Sequence, residues 1–137
     1  MIVKNLSFGD DAKYKVFKGI ETLSRAVSST LGASGQCVLL EDSNGFPIIT
    51  KDGVTVADSI VLRNPIENMG CTLLKQAARK TVQEAGDGTT TATVLAHSIL
   101  TQVYSCKDQD KTIRNLKDGI KTGVEKVEKY LESVSLP

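Results

Sequence analysis

Ala85-Gly86-Asp87-Gly88-Thr89-Thr90-Thr91-Ala92-Thr93-Val94-Leu95-Ala96 is the stretch on which the fold turns. Two glycines within three residues end whatever helix precedes them, because each adopts backbone angles that stop helical propagation at little cost. The threonines that follow suit a helix amino terminus. From Gly88 to Cys106 no side chain is charged, and this segment reads as a second helix. Its length invites a membrane assignment. Five threonines, two serines, a glutamine and a histidine argue against one, and a helix buried inside protein is expected instead.

Upstream, Gly9-Asp10-Asp11 marks a helix start, and Ala12, Val16, Ile20, Leu23, Val27 and Leu31 follow at spacings of three and four. Gly32 stands where such a helix stops. Gln36 to Leu40 and Phe46 to Thr50 are short extended runs flanking Asp42-Ser43-Asn44-Gly45, which together predict a β-hairpin; Pro47 places its second arm at an edge. Val54 to Ile60 is a short helix, and Pro65 opens a longer one that runs to Ala85. Downstream, the chain turns polar around Lys107 to Asp110. Ile113, Leu116, Ile120, Val124, Val127 and Leu131 then mark a last amphipathic helix, with Lys121, Glu125 and Lys129 on its charged side. The prediction is four long helices and one hairpin, mainly α, without internal repeats.

The bulk numbers exclude several classes. The 137 residues carry 17 basic and 16 acidic side chains, a net charge of +1 with no basic stripe, so nucleic acid is not an expected partner. Hydrophobic residues are 40% and charged residues 24%, as in an ordinary globular protein. The start, MIVKNLSFGDDAKYK, lacks the apolar run of a signal peptide. Cys37, Cys71 and Cys106 are odd in number and widely spaced, which argues against a disulfide framework or a zinc site and for buried free thiols in a reducing cytosol. A cytoplasmic location follows as an expectation.

Chemistry concentrates at Gly86 to Thr91. A helix amino terminus offers unpaired N–H groups and the positive end of a dipole, and glycines let a ligand approach the backbone. Three hydroxyls add donors. Asp87 would repel a phosphate unless a hard cation such as Mg²⁺ sat between them. The alternative, an Asp-Gly turn followed by a threonine cap, stays open on these residues alone. No Walker-type Gly-x-x-x-x-Gly-Lys-Ser/Thr pattern occurs. Thr30-Leu31-Gly32-Ala33-Ser34-Gly35 and Lys51-Asp52-Gly53 are by themselves ordinary turns, though Asp52 has the chemistry to orient or deprotonate a water. The single histidine, His97, reads as a satisfied core residue, and Tyr14, Phe17, Tyr104 and Tyr130 as packing residues.

Taken together, Thr30-Leu31-Gly32, Ile49-Thr50-Lys51-Asp52-Gly53-Val54, Glu67-Asn68-Met69-Gly70 and the Ala85–Ala96 run resemble the signature segments of the group I chaperonins, the GroEL/Hsp60 family, in order and spacing. The resemblance extends from Phe8 to Pro137. It implies the N-terminal part of a single equatorial nucleotide-binding domain, residues 1–137, with the intermediate and apical domains absent, one hairpin, and an extended N-terminal strand at Ile2 to Leu6. It implies ATP, Mg²⁺ and K⁺ as ligands. By position, Asp87 would bind Mg²⁺; Gly88, Thr89, Thr90 and Thr91 would cradle phosphates; Thr30, Leu31, Gly32 and Ala33 would pass close to the nucleotide. The backbone carbonyls of Thr30 and Lys51 would hold K⁺, and Asp52 would stand near the attacking water.

The resemblance also implies partners: other chaperonin subunits in a ring, with the N-terminal strand of one pairing with the hairpin of the next. Unfolded clients and a co-chaperonin would engage only domains not present here. The returning half of the equatorial domain would supply adenine and ribose contacts and another aspartate, so this chain alone is not expected to turn over ATP, and it is expected to expose apolar patches. A short chaperonin-like protein acting as a non-catalytic assembly or decoy module is the alternative. Two departures stand out. The family carries Pro-Lys where this chain has Ala33-Ser34, and a basic residue where it has Gln36. Weaker nucleotide binding or altered hydrolysis is the expected consequence.

Overall fold

A computed structural model describes residues 7–42, 44–106 and 112–136. In chain order the elements are α1 (Gly9–Ser28), β1 (Val38–Glu41), β2 (Pro47–Thr50), α2 (Gly53–Ser59), α3 (Pro65–Ala85), α4 (Thr89–Ser105) and α5 (Ile113–Val134). The mainly α reading with one hairpin is borne out, and helix ends fall within a residue of expectation at α2 and α3, while α5 runs three residues past Leu131 to Val134. The proposed strand at Ile2 to Leu6 and the turn at Lys107 to Asp110 lie outside the described residues. The chain groups into two units, residues 1–98 and 99–137, with α4 running from the first into the second.

The first unit is organised by α1 against α3. Asp10 and Asp11 sit in the first turn of α1, where carboxylates complement the helix dipole. Ile20, Leu23 and Val27 form its buried stripe and join Val56, Ala57, Cys71 and Leu74 in one core. Full burial of each large aliphatic side chain contributes about 1.5–3 kcal/mol. The two helices approach so closely that glycine is required at both contact points. A Cβ on Gly19 would collide with the Glu67 carbonyl, and one on Gly70 with the Val16 carbonyl. At the same crossing the Cys71 thiol donates to the Gly19 carbonyl at 3.2 Å, and Lys18 pairs with Glu67 at 3.1 Å.

Local chemistry sets the ends. Asn64 caps α3, its Oδ1 accepting the N–H groups of Ile66 and Glu67, with Pro65 in the first turn. Gly86 closes α3 in the left-handed region at φ 79° and donates its N–H to the Val82 carbonyl. The hairpin pairs Val38 with Thr50 through Glu41 with Pro47. Asp42 holds its turn: Oδ1 accepts from the amides of Asn44 and Phe46, each at 2.8 Å. Those amides, Phe46 first, keep the Asp42 carboxyl below the usual range.

Three expectations are corrected. The α1 stripe ends at Val27, and Leu31 is exposed. The hydroxyls of Ser28, Ser29 and Thr30 donate to the carbonyls of Arg25, Ala26 and Val27, which closes the helix before Leu31. Helix α4 is not enclosed: Thr89 and Thr93 are buried, but Leu95 is 57% exposed and Ile99 and Leu100 are also open, because only its first turns meet the core. Of the cysteines, Cys71 is buried, Cys106 half-buried and Cys37 exposed at the foot of the hairpin. No helix among the described residues is long and apolar enough to cross a membrane. His97 is half-buried and stacks on Phe17 with ring centres 6.0 Å apart, a packing role as expected.

The second unit comprises the end of α4 and α5. Thr112 caps α5, its hydroxyl accepting the Asn115 N–H at 3.2 Å. No residue of α5 is fully buried.

Gly70→Ala should destabilise the chain by about 1–3 kcal/mol despite its better helix propensity, since the added methyl overpacks the crossing. Gly119→Ala, whose Cβ meets nothing within 4 Å, should instead stabilise by up to about 1 kcal/mol. Urea unfolding followed by circular dichroism distinguishes the two; equal effects would contradict the crossing geometry.

Candidate functional site

The start of α2 and the start of α4 form the two walls of a cleft of about 340 Å³. Asp52, Gly53 and Val54 line one side; Val82, Gly86, Asp87, Gly88 and Thr89–Thr91 line the other. The walls touch at one point. Gly53 is buried with its Cα against the Thr90 hydroxyl, where a Cβ would collide with Oγ1. The same Cβ would lie 3.4 Å from Val27 Cγ1, so the end of α1 supports the contact from beneath.

On the first wall Asp52 caps α2. Its Oδ1 accepts the Val54 N–H at 3.2 Å, and its Oδ2 accepts the Thr55 N–H at 2.9 Å and the Thr55 hydroxyl. The Asp52 amide in turn donates to the Thr50 hydroxyl at 3.0 Å. The Thr55 hydroxyl, then its amide, hold the Asp52 carboxyl below its ordinary range despite some opposing desolvation. The far end of α2 is tied to α3. Lys75 Nζ donates to the carbonyls of Ile60 and Asp58, at 2.8 and 3.3 Å, and Arg79 meets Asp58 at 2.7 Å. The helix that ends in the glycine loop therefore also holds the helix that carries Asp52.

On the second wall the Gly88 carbonyl accepts the Ala92 N–H at 2.8 Å, so α4 begins there and the amides of Thr89, Thr90 and Thr91 have no helical acceptor. Gly86 and Gly88 both have positive φ, 79° and 90°. Asp87 is exposed; its Oδ1 accepts the Gly88 N–H at 2.6 Å, and no ion pair reaches it among the described residues. The three hydroxyls are not equivalent. Thr89 is buried, Thr90 is half-buried against Gly53, and Thr91 is exposed. An anion here would be held chiefly by backbone amides.

The structure thus brings together Asp52, Asp87, Gly88, Thr89, Thr90 and Thr91. It leaves Thr30, Leu31, Gly32, Ala33 and Lys51 outside the cleft lining. The reason is local. With α1 closed early, residues 29–36 fold back on themselves through Gly35 N–H to Gly32 O and Gln36 N–H to Ser29 O. Gly86, expected to let a ligand approach, lines the cleft, and so do Gly53, Val54 and Val82, to which the sequence assigns no site role. Gly53 was legible as the glycine of a turn, but its contact with Thr90 joins residues 37 positions apart and leaves no local mark. Thr55, which fixes Asp52, carries the Asp-x-x-Thr spacing of a hydroxyl one turn into a helix.

No cluster of three His, Cys, Asp or Glu side chains that could hold a metal by itself occurs among the described residues. Two carboxylates and a row of amides suit a different arrangement, in which a hard cation is shared between protein oxygen and the oxygens of an anionic ligand.

Comparison with known proteins agrees with this architecture. The sequence matches the TCP-1/cpn60 chaperonin family over residues 23–137, and the chain belongs to that family. Its group I character is borne out by relatives. These include the mitochondrial heat shock protein 60 of Ajellomyces capsulatus, 46% identical over 130 residues, and that of Saccharomyces cerevisiae, 47% identical over 130 residues. The matches cover 95% of this chain and 22% and 23% of those relatives, so the chain spans less than a quarter of their length.

Asp52→Ala should cost about 1 kcal/mol of stability at pH 7 through loss of the α2 cap. Because the folded carboxyl titrates lower than the unfolded one, that contribution is complete above the unfolded range near pH 4 and vanishes as pH falls through the folded value. Urea midpoints of wild type and variant should converge as pH falls below the ordinary carboxylate range; a constant gap would show that the carboxylate is not the cap.

Proposed function

We propose that the cleft binds the phosphates of ATP together with Mg²⁺, as part of a chaperonin subunit whose ATP binding and hydrolysis drive assisted protein folding in a ring oligomer. One observation carries the reading. The helix terminus that invites an anion stands among Asp52 and Asp87, and no basic side chain is among the described residues that line the cleft. Such a site rejects a bare polyphosphate and accepts one whose charge is already offset by a divalent cation. When bound, Mg²⁺ supplies charge neutralisation across the phosphate oxygens.

The residues of this chain then have separate tasks. Asp87, exposed and without an ion pair among the described residues, offers its carboxylate to the cation. The amides of Thr89, Thr90 and Thr91 orient phosphate oxygens at the dipole end of α4. Asp52 is a weak base because Thr55 stabilises its ionised form, so its task is to accept a hydrogen bond from a water and fix its direction. The K⁺ assigned to the carbonyls of Thr30 and Lys51, and the contacts of Leu31, Gly32 and Ala33, enter by family resemblance as a second rim. Ring neighbours, clients and a co-chaperonin are proposed as partners of the longer assembly that the family resemblance implies.

Amide NMR of the chain titrated with ATP tests this. With Mg²⁺, shifts should concentrate at residues 52–54 and 86–91; with chelator they should collapse. Asp87→Asn should weaken Mg²⁺-dependent binding at least about tenfold while leaving the unfolding midpoint in place. Unchanged spectra at millimolar MgATP would remove the assignment. Restoring the family residues, Ala33→Pro with Ser34→Lys, should tighten binding by up to about tenfold, since a new charge near a polyanion is worth on the order of 1 kcal/mol. Equal affinities in isothermal titration would show that these departures do not matter.

A further inference from the structure

We propose that Lys75 is a positioning residue of the cleft: it fixes Asp52 from the opposite end of α2. The assignment rests on the nucleotide reading of the cleft, although Lys75 itself is not among the lining residues. Helix α2 has seven residues, about two turns and ~10 Å. A helix that short does not hold its shape unaided. Asp52 depends on that shape. Its carboxylate is directed by the amides of Val54 and Thr55 and by the Thr55 hydroxyl, and these donors stand together only while the first turn is wound. The Asp52 carbonyl belongs to the same turn and accepts the Val56 N–H at 3.0 Å. Whatever unwinds α2 therefore lets the carboxylate turn.

Packing supports α2 along one side. Val56 and Ala57 are buried in the core, and Gly53 rests on Thr90. These contacts place the helix but give no donor to the carbonyls of its last turn, which a helix end leaves without partners. The Ser59 hydroxyl takes the Val56 carbonyl at 2.8 Å, and the Ile60 N–H takes that of Ala57 at 3.3 Å. The carbonyls of Ile60 and Asp58 go to Lys75 Nζ, at 2.8 and 3.3 Å. Its charge also meets the negative end of the helix dipole. Lys75 is half-buried and lies next to Leu74 and one turn past Cys71 on α3, so its stem is seated on the α1–α3 core. Arg79 pairs with the Asp58 side chain, but the two are 60% and 42% exposed, which makes theirs the weaker tie. Helix α3 ends at Gly86, immediately before Asp87. Lys75 thus ties the helix that aims Asp52 to the helix that delivers the cation-binding loop.

Lys75→Met keeps the stem and removes the donor. In the full 137-residue chain without nucleotide, amide hydrogen exchange at Thr55 and Val56 should accelerate at least about tenfold, while Leu23 and Leu74 in the α1–α3 core keep their wild-type rates. Lys75→Arg, which still reaches both carbonyls with N–H donors, should restore slow exchange. With MgATP, Lys75→Met should lose the amide shifts at residues 52–54 and keep those at 88–91. A residue that merely stabilised the fold would weaken both walls together. Unchanged exchange at Thr55 and Val56 overturns the proposal, as does equal acceleration at Leu23 and Leu74. So does retention of the 52–54 shifts in Lys75→Met. The two readings fail differently: a wild-type chain without MgATP shifts removes the nucleotide site and the role of Lys75 in it, whereas normal wild-type shifts that survive Lys75→Met remove the role of Lys75 alone.

Discussion

The backbone-to-backbone approach of α1 and α3 at Gly19 and Gly70 is the constraint on which the remaining structure depends. Neither position tolerates even a methyl group without moving a carbonyl of the opposite helix. With the axes fixed at this distance, Ile20, Leu23 and Val27 on one side and Cys71 and Leu74 on the other enclose a core to which α2 adds Val56 and Ala57. Local capping decides the residues at which the two helices stop, and the crossing holds those ends beside one another. The carboxyl end of α1 brings Val27 beneath Gly53, and the carboxyl end of α3 delivers the Gly86–Gly88 loop. The cleft is the space left where those two ends and the start of α4 converge.

Within that space the division of labour follows from which groups are already committed. Both oxygens of Asp52 are bound to its own helix, so its charge is settled and its orientation fixed. Among the described residues Asp87 accepts only from the next amide. The first is built like a fixture and the second like a ligand, although both are aspartates followed by glycine in sequence. Lys75 and Arg79 extend the same logic, since they bind the two walls into one body and remove freedom that a loosely attached α2 would otherwise have.

Much of this was written in local patterns. The α3 cap, Asn64 before Pro65, and its stop at Gly86 are short-range signals, and the structure follows them. The hairpin was marked by Asp42 and Gly45. The amide-rich helix start after Gly88 was visible because glycines and threonines announce it within six residues. What the residues hid is long-range. Periodicity carried the α1 stripe on to Leu31, but three successive hydroxyls competing for the last carbonyls stopped the helix sooner. The lack of charge in α4 suggested enclosure, yet composition does not reveal how many turns find a neighbour. Gly53 looked like half of a turn, and only its meeting with Thr90 shows that any side chain there would displace the Thr90 hydroxyl.

The thiol of Cys71 sits inside the α1–α3 seam, 1% exposed, with its proton held by the Gly19 carbonyl and its acidity suppressed by burial. A sulfur in that state is chemically silent toward alkylating reagents until the helices part. Its modification rate is therefore a clock for separation of the seam, set into the chain by nature and readable in the mass spectrum without any attached label.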